Sequence, residues 1–185
     1  MTDARPVMPG DIITFWREAG RARWYKRDDA FDADIRRRFH ETWRQATSGE
    51  LSSWEATDVG LLALVIVLDQ FPRNMFRDDP QMFSSDHVAR EVASRAIDSG
   101  VDARTEPLLR EFLYLPLMHS EHLADQERCV AHFEEAGTNP ENLDYARDHA
   151  DIIRRFGRFP HRNRILGRET TPEERAFLDA GGFSG

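Results

Sequence analysis

The sequence predicts an all-α protein built from antiparallel helical hairpins, with about seven to nine helices. Apolar residues recur every three or four positions over most of the chain, and Phe31, Ile35, Phe39 and Trp43 form one such stripe. No segment alternates apolar and polar residues between hairpin turns, as a strand would. Short connections rich in Gly and Pro separate the periodic segments. No clean tetratricopeptide consensus repeat is found, and a degenerate, closed version of that stacking stays open.

Length and composition favour a single domain over residues 1–185, with residues 1–9 as a flexible N-terminus. Of the 185 residues, 40% are hydrophobic and 31% charged, an ordinary balance for a globular protein. The net charge of -8 argues against nucleic-acid binding, which draws most of its affinity from a basic surface. The chain shows no secretory signal, and Cys129 cannot form an internal disulfide. We therefore expect a cytoplasmic location and no membrane partner; the oligomeric state is not predicted.

The first part of the chain predicts two helices ahead of a central one. Asp11 is placed to cap a short helix. Residues 29–47 follow as a long amphipathic helix. Ser52 and Glu55, three residues apart, fit a capping box at the start of the next helix.

The chain is organised around residues 61–74, which read LLALVIVLDQFPRN. The apolar run at its start predicts a helix buried on every side, and it is far shorter than the roughly 20 residues that cross a bilayer. Pro72 is expected to end this helix, because proline lacks an N–H and disfavours a helical residue before it. Asp69, Arg73 and Asn74 would then lie at or near the end of the most buried element.

Pro and Gly divide the second half of the chain into further helices. Proline at a first helical position predicts a start at Pro107, and Pro116 is expected to interrupt that helix. Asn139 marks a turn ahead of a helix over residues 143–156. The capping pattern at residues 171–174 predicts a last short helix.

Two short motifs in the chain echo each other. Residues 71–74 read FPRN and residues 159–163 read FPHRN, with one histidine inserted. In both, a helix is expected to stop at Phe-Pro and to present Arg and Asn. Arg suits the negative end of a helix and Asn bonds exposed carbonyls, so both motifs could be simple terminators. Arg beside Asn is also a pair that recognises anions and amides, and both interpretations stay open.

His119 lies on the same predicted helical face as Leu123, Val130 and Phe133. A histidine that faces a core needs partners for its ring nitrogens. We therefore expect His119 to be at least half buried and hydrogen-bonded to a carboxylate or a backbone group. His119 and His122 could also ligate a metal, but they lack the zincin spacing and an obvious third ligand. The structural interpretation is preferred, and no metal site is predicted.

A basic segment covers residues 154–163, RRFGRFPHRN. Gly and Pro within it prevent one smooth helix, so a loop must fix part of the segment. The first two Arg fit a solvated basic patch. Arg158, His161 and Arg162 fall in the break and are better candidates for a site. No hydrolase elbow and no Gly-rich phosphate loop is found in the sequence.

Several stretches of the chain read LDQFPRN, FLYLPLMHSE, DQE, YARDHADIIRRFGRFPHRN, LGR and TPEERAFL. Together they resemble the bacterial family called Domain of Unknown Function 924, over residues 10–183. The resemblance implies an all-α fold related to tetratricopeptide-like helical hairpins, and no established activity. By the family motif, these residues carry over: Asp69, Gln70, Arg73, Asn74, His119, Ser120, Glu121, Arg158, His161, Arg162 and Asn163. His122 is not part of the pattern, which weakens the metal interpretation further.

The leading functional hypothesis is a binding module for an acidic peptide or a small anion. Its candidate ligand-binding residues are Asp69, Arg73, Asn74, His119, Glu121, Arg158, His161, Arg162 and Asn163. The alternative is an enzyme acting on a carboxylate or phosphate ester, with His119 as general base and Glu121 orienting it. A third hypothesis is an internal polar network that fixes helix packing. No cofactor is expected, and whether the chain is an enzyme stays open.

If both motifs serve one site, the fold must bring two groups of side chains together around one cavity: Arg73 and Asn74 on one side, and Arg158, Arg162 and His119 on the other. Guanidinium groups so near to one another repel, so such a site needs anions to balance their charge. Asp69 and Glu121 are the nearest acidic candidates in the sequence. Because these acids are fewer than the Arg they would neutralise, the sequence favours an external anion.

Overall fold

The computed structural model describes residues 5–137 and 140–183, and over these ranges the protein is helical and has no strand. Its helices are α1 (Pro9–Ala19), α2 (Arg21–Trp24), α3 (Asp29–Thr47), α4 (Asp58–Val65), α5 (Phe71–Met75), α6 (Asp86–Asp98), α7 (Val101–Arg104), α8 (Pro107–Met118), α9 (Leu123–Ala136), α10 (Pro140–Phe156) and α11 (Pro172–Asp179). A π-helix (Ile66–Gln70) joins α4 to α5, and short 3-10 helices lie at Ser52–Ala56, Pro80–Phe83 and Pro160–Arg162. The all-α prediction is confirmed, and the helices beyond the predicted number are short, such as α2 and α7.

The chain divides into two compact units. The N-terminal unit comprises Met1–Arg77 and Gln81–Pro116, and the C-terminal unit comprises Asp78–Pro80 and Leu117–Gly185. Within the N-terminal unit, α4 packs against α1 and α6, and α3 packs against α5. Within the C-terminal unit, α9 packs against α10. No helix in the described ranges is long and apolar enough to cross a membrane. The single domain and the tetratricopeptide-like array stay predictions.

The start of the described chain is anchored through Asp11. Its carboxylate accepts hydrogen bonds from the backbone N–H of Met8, at 2.8 Å, and from the guanidinium of Arg5, at 2.6 Å. Asp11 thus acts from the third position of α1 rather than at its N-cap. The rest of the predicted flexible N-terminus, residues 1–4, and the predicted turn residue Asn139 lie outside the described residues.

The prediction for residues 29–47 is confirmed by α3, whose first turn is capped by the Asp28 carboxylate. The predicted capping box at Ser52 is wrong, because these residues form a separate 3-10 helix. The next helix, α4, is capped instead by Thr57, whose hydroxyl accepts from the backbone N–H of Gly60 at 3.0 Å. A hydroxyl five residues further along therefore satisfies the free N–H of this helix start.

The apolar run at residues 61–68 is the most buried part of the N-terminal unit. None of its side chains is more than 7% exposed, as predicted. Around it lies an aromatic cluster: the ring centroid of Phe71 is 4.9 Å from that of Phe39 and 5.7 Å from that of Trp16. Offset and edge-on aromatic contacts of this kind add to the stabilisation from burial.

The prediction that Pro72 ends the central helix is wrong. The backbone widens into the π-helix, where the N–H of Phe71 donates to the carbonyl of Ile66, and α5 then carries the chain on to Met75. A proline removes the hydrogen bond to the carbonyl four residues before it. That carbonyl belongs to Leu68, and it accepts instead from the Ser85 hydroxyl at 2.6 Å. The helix continues because a side chain from α6's N-terminal end satisfies the group that the proline leaves unbonded.

Pro116 also fails to interrupt its helix, contrary to prediction, since α8 runs through it to Met118. The apolar residues on either side of it, Leu113 and Leu117, are 0% exposed. Burial of such side chains stabilises a helix by about 1.5–3 kcal/mol each, which offsets the hydrogen bond lost at a proline.

Candidate functional site

The FPRN motif of the N-terminal unit places Arg73 between two carboxylates. Its guanidinium donates to both oxygens of Asp86 at 3.0 Å and to the backbone carbonyl of Asp69 at 2.5 Å. It also lies 3.3 Å from the Asp69 carboxylate, and the Arg73 side chain is only 18% exposed. Burial works to lower the pKa of Arg73, but the two carboxylates outweigh it and raise that pKa. The guanidinium of Arg73 is therefore charged and largely buried, and the two carboxylates balance its charge.

Asn74 is likewise engaged inside the N-terminal unit. Its amide donates at 2.7 Å to Asp32 on α3, and the guanidinium of Arg77 donates to the same carboxylate. Asn74 is 6% exposed. The motif thus ties α5 to α3 and α6 and leaves few polar atoms for a ligand.

The second motif lies in a loop of the C-terminal unit. Helix α10 ends at Phe156, three residues before the Phe-Pro pair, because Gly157 adopts a positive φ of 68°. Phe159 is 0% exposed and anchors the turn, and Pro160 begins the 3-10 helix. We refer to residues 157–168 as the carboxylate loop.

The carboxylate loop holds the side chain of Glu174 from α11. Arg158 donates to it through Nε at 2.6 Å and through Nη2 at 2.9 Å, and the Asn163 amide donates at 3.1 Å. The backbone N–H of Thr171 adds a fourth bond at 2.8 Å. The Glu174 side chain is 3% exposed. Its hydrogen bonds, those from Arg158 first, lower the pKa of Glu174 to about 2.

The same loop holds a second carboxylate, that of Glu121. The guanidinium of Arg168 donates to it at 2.8 and 3.0 Å, and the backbone N–H of Phe159 donates at 2.8 Å. Burial works to raise the pKa of Glu121, and these donors outweigh it and lower that pKa. The Oδ1 of Asn163 accepts from Arg168 Nε at 2.9 Å, while its amide donates to Glu174. Asn163 therefore joins the two carboxylate sites into one network.

Two histidines pack beside this network against aromatic rings. The ring of His149 lies 5.2 Å from Phe159 and 4.5 Å from Phe183, and His161 lies 5.6 and 5.1 Å from the same two rings. Burial is the main cause that lowers the pKa of His149 to about 4 and of His161 to about 3. Both imidazoles are therefore neutral at neutral pH. Among the described residues the buried Nδ1 of His161 has no hydrogen-bond partner, whereas Nδ1 of His149 meets the Tyr145 carbonyl at 2.7 Å.

His119 lies beside the same histidine cluster. It is partly buried, which confirms the expected burial, and its charge helps to lower the pKa of His149. Its predicted hydrogen bond to a carboxylate or backbone group stays a prediction.

In the described part of the chain, no group of three or more His, Cys, Asp or Glu is arranged to hold a metal ion.

The predicted site residues fall into two sets. Asp69, Arg73 and Asn74 belong to the N-terminal unit, and the others belong to the C-terminal unit: His119, Glu121, Arg158, His161, Arg162 and Asn163. Their convergence on one pocket stays a prediction.

Sequence reasoning missed the carboxylates that pair with the two motif arginines. Asp86 follows Arg73 by 13 residues, and Glu174 follows Arg158 by 16. No sequence spacing identifies such pairs; the capping pattern at residues 171–174 marked Glu174 only as a helix cap. Counting these acids removes the predicted excess of Arg, so that argument for an external anion no longer holds.

Comparison with known proteins concerns nearly the whole chain. Residues 12–182 match the model of a family described as bacterial protein of unknown function (DUF924). The chain is also similar to a solved structure of a protein of unknown function from Agrobacterium tumefaciens, with a TM-score of 0.90 and 43% identity over 94% of this chain and 97% of that one. No curated protein matches this chain. The comparisons therefore agree on the fold and name no activity.

Proposed function

This chain belongs to the bacterial DUF924 family of proteins of unknown function, and from its own geometry we propose that it is a binding module for carboxylate groups, carried by an acidic peptide or a small anion. The observation that carries the proposal is the carboxylate loop. Its backbone and side chains already bind the carboxylates of Glu121 and Glu174.

The donors of the carboxylate loop have the geometry that carboxylates require. Arg158 and Arg168 each present two N–H groups to one carboxylate, with N···O distances of 2.6–3.0 Å. Charge-assisted, two-pronged contacts of this kind are strong and select planar anions. A loop that holds two carboxylates by such contacts is suited to receive those of a ligand.

The sequence around the carboxylate loop is rich in Arg, the residue best suited to bind carboxylates. Residues 152–168 contain six Arg and neither Asp nor Glu, although the whole protein has a net charge of -8. Arg164, in the middle of this stretch, has a side chain that is 83% exposed. Four of the six already pair with acidic residues, namely Arg154, Arg158, Arg164 and Arg168. The stretch therefore supports the proposal through its donor groups and not through an excess of positive charge.

The alternative of an enzyme with His119 as general base has less support. That hypothesis uses Glu121 to orient the histidine. The hydrogen bonds to Glu121 come instead from Arg168 and from the backbone of Phe159. We therefore favour binding. We also propose tetratricopeptide-like stacking of the helices, and a cytoplasmic location, with which the buried, unbridged Cys129 is consistent.

The proposal is tested by thermal unfolding of the full chain at constant ionic strength. Succinate, phosphate and an oligoglutamate peptide are each titrated, because a ligand that binds only the folded state raises the melting temperature. Arg168→Lys keeps the charge and loses the two-pronged contact. Arg147→Lys is the matched control, since Arg147 is exposed in the same unit and pairs with Glu134.

We expect the wild type and Arg147→Lys to be stabilised equally by the oligoglutamate peptide or succinate, and Arg168→Lys to lose most of that effect. If no anion raises the melting temperature of the wild type, or if all three chains respond alike, the binding proposal is wrong and the cluster is an internal network.

A further inference from the structure

The last helix, α11, has one residue that the rest of the C-terminal unit covers almost completely, and that residue is a glutamate. Over its whole length, which is described, Glu174 is its only buried residue. The neighbouring Glu173 and Arg175 are exposed. A helix whose buried contact is polar differs from the usual amphipathic helix, which is held by an apolar stripe.

The apolar side chains of α11 are only partly buried: Phe177 packs against the core cluster of Ile152, Ile153 and Phe159, and Leu178 is also partly buried. Phe177 is partly buried, with its ring 5.2 Å from that of Phe156 and 5.6 Å from the guanidinium of Arg155. Beyond the helix, Phe183 is also partly buried, against the histidine pair. Elements with few buried apolar contacts open at low free-energy cost compared with the core.

We propose that residues 171–183 act as an internal, resident ligand of the carboxylate loop. A segment of the same chemistry from a partner protein can displace them and bind the loop in their place. This inference rests on the proposed function. It identifies the partner as the start of an acidic helix with the pattern Ser/Thr-x-x-Glu-x-x-aromatic. In this chain the pattern is Thr171, Glu174 and Phe177.

The contacts explain each part of that pattern. The Thr171 hydroxyl accepts from the backbone N–H of Glu174, and the backbone N–H of Thr171 donates to the Glu174 carboxylate, so the capping box holds the carboxylate ready. Arg158 and Asn163 then receive it. The aromatic residue three positions later lies on the same helix face and reaches Phe156.

Exchange of one such segment for another keeps every hydrogen bond. A partner that supplies the same carboxylate satisfies Arg158 and Asn163 as Glu174 does, so displacement leaves no buried charge unpaired on the loop. The tether gives the resident helix an effective concentration on the order of millimolar. The apparent affinity for a partner equals the intrinsic affinity multiplied by the fraction of time that the loop is free. Weakening the attachment of the resident helix must therefore raise the apparent affinity.

The test uses a fluorescent peptide of residues 171–183, TPEERAFLDAGGF, and the full-length protein. Fluorescence anisotropy measures its binding to the wild type and to Phe177→Ala, which weakens α11 and leaves every donor of the loop intact. Glu174→Gln is a second full-length variant with the same purpose, and circular dichroism checks that each chain is folded. The matched control peptide carries Gln at the position of Glu174.

We expect the peptide to bind Phe177→Ala roughly tenfold more tightly than the wild type, as loss of about 1.4 kcal/mol from the resident helix implies. Glu174→Gln shifts the affinity in the same direction, and the Gln peptide binds each chain at least several-fold more weakly. Equal affinity for the wild type and the two variants would overturn the resident-ligand inference and leave the proposed function standing. If no chain binds the peptide and none responds to succinate or oligoglutamate, the proposed function fails, and the inference with it.

Discussion

The two Phe-Pro motifs share their letters and differ in structure. In the N-terminal unit the chain stays helical through Pro72, whereas in the C-terminal unit α10 ends at Phe156, before Phe159 and Pro160. The first outcome depends on Ser85, which satisfies the carbonyl of Leu68. The comparison teaches that a Phe-Pro pair does not by itself determine where a helix ends: the first helix continues because another donor replaces the hydrogen bond that Pro72 removes, and α10 ends at a glycine before its Phe-Pro pair.

The arginines of the motifs differ in the same way. Arg73 is enclosed by carboxylates from its own helical run and from α6, and its side chain is 18% exposed. Arg158 lies in a loop, is 29% exposed, and holds a carboxylate from α11, whose apolar side chains are only partly buried. The first motif is therefore packed inside its unit, and we propose that the second serves binding. The predictions below test this difference, from the largest effect to the smallest.

The largest effect is expected in the core behind the first motif. Leu64 is 3% exposed, so Leu64→Ala should lower the free energy of unfolding by about 2–5 kcal/mol through lost burial and a cavity. Urea denaturation measures the change. Val59→Ala on the same helix is the control, since Val59 is 50% exposed and should change stability by less than about 0.5 kcal/mol. Equal stability of Leu64→Ala and the wild type would contradict a core at this helix.

Ser85→Ala tests the reason that the helix continues through Pro72. The substitution leaves the Leu68 carbonyl and the Nε1 of Trp43 without their bonds, of 2.6 and 3.0 Å, and should cost about 1–3 kcal/mol. In a Pro72→Ala background the restored N–H can bond the Leu68 carbonyl, so the same change should cost less. Urea denaturation of the wild type, the two single variants and the double variant gives the coupling free energy between Ser85 and Pro72. Strict additivity would show that Ser85 does not compensate for the proline.

The effect that is smallest at neutral pH, and that grows as the pH falls, concerns the histidine pair of the C-terminal unit. Because the pKa of His149 is about 4 in the folded state and 6.5 ordinarily, the unfolded chain takes up the proton first as pH falls. Stability should therefore fall from pH 6.5 towards pH 4 and be independent of this group above that range. His149→Phe should flatten the slope of melting temperature against pH. His87→Gln, at an exposed histidine, should not; equal slopes in all chains would refute the assignment.

Much of the fold could be predicted, because it depends on local patterns. The stripe in residues 29–47 became α3, and the apolar run at residues 61–68 is buried as expected. The continuation through Pro72 could not be predicted, since it depends on Ser85, 17 residues from the carbonyl it bonds. The chemistry of the second motif was indicated by Arg158. That Glu174 is the carboxylate bound by this motif could be known only from the three-dimensional structure, because the sequence pattern around Glu174 marks only the start of a helix.

The most direct test of the central claim compares the arginine side chains of both motifs in one sample. Full-length protein labelled with ¹⁵N is titrated with the oligoglutamate peptide, and the side-chain Nε–H signals of Arg158, Arg168 and Arg73 are followed by NMR. We predict saturable shifts at Arg158 and Arg168, whose Nε–H groups donate to Glu174 and Asn163, and none at Arg73. Shifts of equal size at Arg73, or no shift at Arg158 and Arg168, would contradict the assignment of binding to the carboxylate loop.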